Sequence, residues 1–385
     1  MLLLNKKEIL EIKKILKKEN THIDRIAFCY VDAEKQKRAV YASSFYSVPD
    51  GEMFKYSDLF RKALSGTVGK NLNTLDFSLD EEMNGTRHKE LLALLDSGLK
   101  NKSLLESFYD EVISHYFHAG NYLILLAHGT YDVPGRDSNQ AEMFDASDYV
   151  YQFMECVICP VDLSKPGLCY DADSSSFVEH IQEWMVGMPE CGFLFPAFND
   201  RNADIHSLLY YAGNPEELHP EMTEILLGCA EPVSAKDQKN DFNAAVEEAF
   251  GGSCSFQTVK EIHENLNRMI EENRDEPDPL VLRKEDVRKI LLESGAEDTV
   301  LERIETRFVD QNNTGEPSGY MASNIASTRR FEVKTPELSV QILADRTDLI
   351  DTMMIGGQEC LVIPLSNDVT VNGISIRPGQ STEGR

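Results

Sequence analysis

Gly192-Phe-Leu-Phe-Pro-Ala-Phe-Asn-Asp-Arg-Asn-Ala-Asp-Ile-His-Ser-Leu-Leu-Tyr-Tyr211 sets two apolar runs, 193–198 and 205–211, on either side of a short polar cluster. Aromatic and aliphatic runs around Asn and Asp read as two strands joined by a turn. Asn199, Asp200, Arg201, Asp204 and His206 then stand at a hairpin end, and such loops carry binding chemistry more often than strands do. Residues 122–127 and 149–161 also read as strands, with Val133-Pro134-Gly135 breaking the chain between them. If 122–127 pairs with 193–198, His128 and Asp132 join the same rim, with Tyr131 and Arg136 nearby. Carboxylate, imidazole and guanidinium together suit a metal or a phosphate. The same residue types also cap turns through their own backbone, and an exposed Asp200–Arg201 pair is worth little.

Outward from this hairpin, Ile9, Ile12, Ile15 and Leu16 recur at helical spacing and predict an amphipathic helix over 5–18. Residues 23–31 and 38–45 predict a second hairpin, and helices follow at 51–64, 87–96 and 102–117. Past Asn214-Pro215 the pattern turns helical at 221–228, 240–250, 256–273, 284–293 and 297–309. Beyond Phe331 short β runs return at 331–334, 338–343, 350–355, 359–363 and 369–376, with Asn372-Gly373 a strong turn signal. The expectation is an α+β fold: a mostly antiparallel sheet with flanking helices, then a small helical domain and a C-terminal β-rich segment. Its boundaries are an α+β domain at 1–214, a helical domain at 215–310, a linker at 311–329, hairpins at 330–377 and a disordered tail at 378–385.

With 385 residues, two or three cores are expected. No apolar run approaches the roughly 20 residues of a membrane span, and Met1–Leu4 is too short for a signal peptide's apolar stretch. A cytoplasmic protein is expected, with its eight cysteines as reduced thiols. The net charge of −27 is uneven. Residues 1–70 carry 14 Lys+Arg against 9 Asp+Glu, and the remaining 315 carry 24 against 56. Most of the surface should therefore repel nucleic acid, whose phosphates are held by Lys and Arg. The exception is the N-terminal segment, where Lys6, Lys7, Lys13, Lys14, Lys17 and Lys18 also read simply as the solvated face of one helix.

Three short motifs are weaker. Gly66-Thr67-Val68-Gly69-Lys70-Asn71 resembles a phosphate-binding loop, but Leu64 stands where the first glycine belongs and Asn71 where the hydroxyl belongs. A helix C-cap at Gly66 explains it as well. Cys156-Val-Ile-Cys159 has half a zinc spacing, yet side chains three apart on a strand point to opposite faces. His128-Gly129 could offer oxyanion amides, but no G-x-S-x-G follows to supply a nucleophile.

Several segments resemble a bacterial family classified as domain of unknown function 4317: Asn5-Lys6-Lys7-Glu8-Ile9, the Gly66–Asn71 loop, Asn121-Tyr122-Leu123-Ile124-Leu125-Leu126, Met143-Phe144-Asp145-Ala146-Ser147, Cys159-Pro160-Val161-Asp162-Leu163-Ser164-Lys165-Pro166-Gly167, and Phe193 to Arg201. The resemblance spans nearly the whole chain and implies no activity, cofactor or catalytic residue. In order of parts alone, with its β tail at Asn372-Gly373-Ile374, the chain is similar to bacterial nucleoid-associated proteins.

The residues thus suggest a non-enzymatic binding or self-association module, with homo-oligomerisation left open. The alternatives are a nucleoid-associated-like nucleic-acid binder and a metal-dependent phosphoesterase-like enzyme. No catalytic residue, metal or cofactor is assigned, and no membrane contact is expected. The candidate binding rim is Asn199, Asp200, Arg201, Asp204, His206, His128 and Asp132.

Overall fold

The computed structural model describes residues 5–17, 19, 21–136, 142–252, 254–298, 319–365, 369–371 and 373–376. The expected helix at 297–309 past Asp298, the expected linker up to Ser318 and the tail from 378 lie outside these residues. The chain divides into two compact units, one built on residues up to Gln238 with Glu276–Pro279, the other on Lys239–Asp275 and from Leu280 onward.

The first unit is an α+β layer structure. Its main sheet is formed by β1 (Ile23–Val31), β2 (Lys37–Ser44), β3 (Leu72–Asp76), β4 (Asn121–Arg136), β5 (Glu142–Leu163), β8 (Trp184–Val186), β9 (Cys191–Phe195) and β12 (Ser207–Ala212), in the order β2-β1-β4-β5-β9-β12-β3 with β8 on β5. Every paired strand in it is antiparallel. Met154, Cys156 and Ile158 of β5 share a buried cluster with Leu91, Leu94 and Leu95 of α4 (Arg87–Asp96) and with Leu105, Tyr109 and Val112 of α5 (Lys102–His115). Side chains alternate along a strand, so Phe153, Glu155, Val157 and Cys159 point to the other face. There α2 (Asp50–Ala63) packs against β5 and β9. Covering both faces explains why β5 is apolar at nearly every position of this stretch, although the sheet is antiparallel.

At three places the structure departs from the sequence reading. Val133-Pro134-Gly135 does not end β4; the register shifts on either side of Pro134. A bulge is where a strand tolerates a residue that cannot donate a backbone hydrogen bond. Residues 193–198 form not one strand but two, because the chain leaves the main sheet at a cis Phe195–Pro196 bond. β10 (Ala197–Asn199) then pairs only with β11 (Asn202–Asp204). Finally, β4 does not pair with β9: β5 lies between them, with β4 on one edge and β9 on the other.

Three elements leave little trace in the sequence pattern. β3 buries Asn73 and Thr74 beside Leu72 and Leu75, so it lacks an apolar alternation. The short helix α3 (Leu79–Asn84) buries no side chain, and its start is marked only by Ser78, which accepts from Glu81 N–H. The third is an arm between β5 and β9. Among the described residues, its strands β6 (Leu168–Asp171) and β7 (Ser176–Glu179) pair only with each other, and β8 then returns to β5.

The second unit packs α6 (Ala235–Ala249), from Lys239 onward, with α7 (Phe256–Glu272) and α8 (Lys284–Glu293). Phe242, Ile262, Leu266, Ile290 and Leu291 form its core, joined by Tyr320 and Ile325. β13 (Val281–Leu282) pairs with β14 (Tyr320–Met321), followed by a short helix at Ala322–Ile325. Three two-stranded hairpins complete it: β15–β16 (Arg330–Lys334, Ser339–Leu343), β17–β18 (Asp351–Ile355, Gln358–Val362) and β19–β20 (Val369–Val371, Ile374–Ile376).

Candidate functional site

Asp200 and Arg201 are the two central residues of the β10–β11 turn, with φ of 49° and 58°. Both positive values mark the mirror-type hairpin turn that usually takes Asn-Gly. Neither residue is glycine, so the turn must be held from outside. The first helix, α1 (Lys6–Ile15), does this. Arg201 donates from Nε to Glu11 Oε2 at 3.1 Å, from Nη2 to Glu11 Oε1 at 2.9 Å and from Nη1 to the Pro134 carbonyl at 2.9 Å. Tyr131 Oη donates to the same Glu11 oxygen at 2.9 Å. Glu8, one turn earlier, accepts backbone hydrogen bonds from Asn5, Arg201 and Asp200, while burial pushes its carboxyl above the usual range.

Asn199, Asp204 and Ser207 form a second, separate group. Asn199 Nδ2 donates to Asp204 Oδ2 at 2.7 Å and Ser207 Oγ at 3.2 Å, and Ser207 Oγ donates to Asp204 Oδ2 at 2.8 Å. The backbone N–H of His206 donates to Asp204 Oδ1 at 3.1 Å. These bonds close the chain between β11 and β12. The His206 ring instead turns outward to Glu82 Oε1 of α3 at 2.7 Å, which raises its pKa.

His128 is buried in β4 with both ring nitrogens occupied: Nδ1 meets Asp24 Oδ1 at 2.8 Å, and Gln152 Nε2 meets Nε2 at 2.9 Å. Because the Gln152 amide donates, Nε2 accepts and the ring proton sits on Nδ1 toward Asp24. An Asp–His pair is thus present, but its outer nitrogen faces an amide that also donates to the Leu95 carbonyl. The nitrogen that would have to activate a nucleophile is therefore taken by the Gln152 amide. Asp132 is exposed on β4.

The seven rim residues therefore divide among a turn clamp, a strand-junction network, one surface pair and one buried dyad, with Asp132 apart. Glu8, Glu11, Asp24, Glu82, Gln152 and Ser207, which complete these groups, were not singled out by the sequence reading. Glu8 and Glu11 had a signal: both fall on the same helical stripe as Ile12 and Ile15, where a carboxylate needs a partner. His206→Ala should cost less than about 1 kcal/mol, since the pair is exposed. A His whose folded pKa is raised adds stability that is fully present below the ordinary imidazole value of 6.5 and is lost as pH rises through the folded value. The deficit of His206→Ala in thermal melts should thus be larger at pH 6 than at pH 9; a larger deficit at pH 9 would refute the pairing.

The weaker motifs also resolve into packing. At Gly66 an added Cβ would fall 2.5 Å from Asn71 Cβ, and Asn71 Nδ2 donates to the Ala212 carbonyl at 3.0 Å. The amides of Gly69, Lys70 and Asn71 donate to carbonyls of the loop itself, so they do not form an open phosphate cradle. Gly129 lets Phe153 and the His22 carbonyl close in, since a Cβ there would lie 2.5 Å from each. Cys156 and Cys159 are buried free thiols whose pKa values burial raises, that of Cys159 to about 12. Among the described residues, no group of three or more His, Cys, Asp or Glu side chains is placed to hold a metal ion. None of the helices there is long and apolar enough to cross a membrane. A cleft of about 40 Å³ between α4 and α5 is mostly apolar, and its Arg87 is engaged by Glu90 and Glu111 at 3.2 and 3.0 Å.

The arm presents a different surface. Paired strand residues share a face, which puts Leu168, Tyr170, Phe177 and Glu179 together. Tyr170 and Phe177 meet edge to face at 5.7 Å, yet Phe177 remains 69% exposed. Ile181 at 82% and Trp184, the single tryptophan, at 56% are also exposed along the arm, as are Met185 and Met188. Large side chains left open in this density are the usual mark of a contact surface.

No curated protein matches the chain. A family model described as a domain of unknown function (DUF4317) matches residues 4–374, essentially the full length, and the chain belongs to that family.

Proposed function

We propose that this chain is a non-enzymatic binding module of the cytoplasm whose contact surface is the arm at residues 164–190. The observation that carries the reading is the set of exposed side chains Leu168, Tyr170 and Phe177 on β6 and β7, which pair with each other, followed by exposed Ile181, Trp184 and Met188 along the return to the main sheet. An isolated two-stranded hairpin is marginal in water, and apolar residues on it gain their stability from whatever covers them. The internal hydrogen bonding of the rim favours this over catalysis there: Arg201, His128 and Asp204 are committed to groups of the fold itself. Eight unpaired thiols, five of them buried, suit a reducing compartment.

A photo-reactive phenylalanine analogue placed at position 177 should yield a discrete cross-linked species in living cells. The same probe at Leu79, equally exposed on α3, should not. Absence of any adduct from positions 177 and 184 alike would remove the basis for the proposal.

A further inference from the structure

The arm is acidic as well as apolar. Residues 164–190 hold Lys165 against Asp171, Asp173, Glu179, Glu183 and Glu190. Two such arms laid against each other would set like charges side by side, which disfavours arm-to-arm pairing. The complementary surface is on α1. Lys6, Leu10 and Lys13 fall on one stripe at helical spacing, flanked by Lys7 and Lys14, with Lys17 just past the end of the helix. Lys6, Lys7, Lys14 and Lys17 are exposed, and so is Leu10, at 57%. Arg61 and Lys62 at the end of α2 lie close enough to Lys13 to depress its pKa, after the larger effect of burial. Like charges gathered around an open leucine are relieved by an acidic, apolar partner.

An arm does not meet this patch within its own chain. α1 is tied to Tyr131 and Arg201, and Tyr131 pairs with Tyr151 of β5, whereas the arm leaves β5 at Leu163. From Tyr151 to Leu163 the strand climbs about 40 Å, at about 3.3 Å per residue. We propose that the arm's occupant is a second copy of this chain, whose basic α1 face receives the acidic, apolar arm. Two copies lying antiparallel satisfy both patches at once and close a dimer with two equivalent contacts. The inference rests on the arm being a contact surface and adds the identity of what it contacts.

The test is the native mass of the full chain by light scattering, at low and high salt. Dimers are expected at low salt, shifting toward monomer at high salt as the charges are screened. Reversing α1 with K6E, K7E, K14E and K17E should give monomers with the far-UV circular dichroism of the parent. Reversing the arm with D173K, E179K and E183K should do the same, and an equimolar mixture of the two variants should recover dimers. A parent chain that is monomeric at every concentration tested overturns the inference. So do dimers that survive both reversals, or a mixture that stays monomeric. Failure here is separable from failure of the binding reading: a monomer whose position 177 still cross-links to a different protein, nucleic acid or lipid keeps the arm as a contact surface and removes only the second copy as its occupant.

Discussion

Glu155→Leu is expected to stabilise the first unit by about 1–3 kcal/mol below about pH 4.5, the cost of a buried polar group left without a partner, and by more at neutral pH. Glu155 is wholly buried in β5, facing the α2 side of the sheet, and among the described residues neither carboxylate oxygen has a hydrogen-bond partner. Burial alone raises its pKa well above the ordinary carboxyl value of 4.5. A carboxyl with a raised folded pKa keeps its proton in the fold at pH values where the unfolded chain has released it. The penalty from Glu155 is therefore smallest below about pH 4.5 and grows as pH rises, by about 1.4 kcal/mol per pH unit, until the folded value is reached. Glu155→Gln keeps the shape and removes the proton. Urea midpoints of the parent and the Gln variant should diverge between pH 5 and 8, with the parent losing ground at higher pH. Parallel curves would show that Glu155 is ionised or solvated in the fold.

Glu155 also shows what sequence reading supplies and where it stops. The run 149–161 reads as a strand because Tyr, Phe, Met, Val and Ile crowd it, and one glutamate in such a run does not change that reading. Which face the glutamate takes, and whether anything meets it there, depends on β9 and α2, which come from distant parts of the chain. The same limit applies to the rim. Asn199, Asp204 and Ser207 are close in sequence, and their network is local. His128 joins Asp24 and Gln152 only through the β1–β4–β5 order, and the 149–161 run carries no sign that it will lie between 122–127 and 193–198. The arm was hidden for the opposite reason. Its strands are short and solvent-exposed, so burial imposes no alternation, and Pro166-Gly167 and Asp173 through Ser176 read as loop.

Arg201→Ala should cost the first unit about 3 kcal/mol, the low end for breaking a buried ion pair by removing one partner, and lower its melting temperature by roughly 6–12 °C. The Arg201 and Glu11 side chains are only 15% and 13% exposed, so solvent screens the pair weakly. Removing the guanidinium strands the Glu11 carboxylate with only Tyr131 beside it and leaves the Pro134 carbonyl without the donor that Arg201 supplies. It also removes the side-chain half of the clamp on the two positive-φ residues of the turn, leaving only their backbone bonds to Glu8. Glu11→Ala should cost nearly as much, and the double variant much less than the sum, because both changes remove the same interaction. Additive losses would mean that the two residues act independently. The clamp reaches further than the turn, because α1 carries the basic stripe. Hydrogen exchange in residues 6–15 should therefore rise in Arg201→Ala. Self-association should weaken in step with it, although residue 201 lies on neither proposed contact face. Unchanged exchange in α1 would place the role of the clamp in the β10–β11 turn alone.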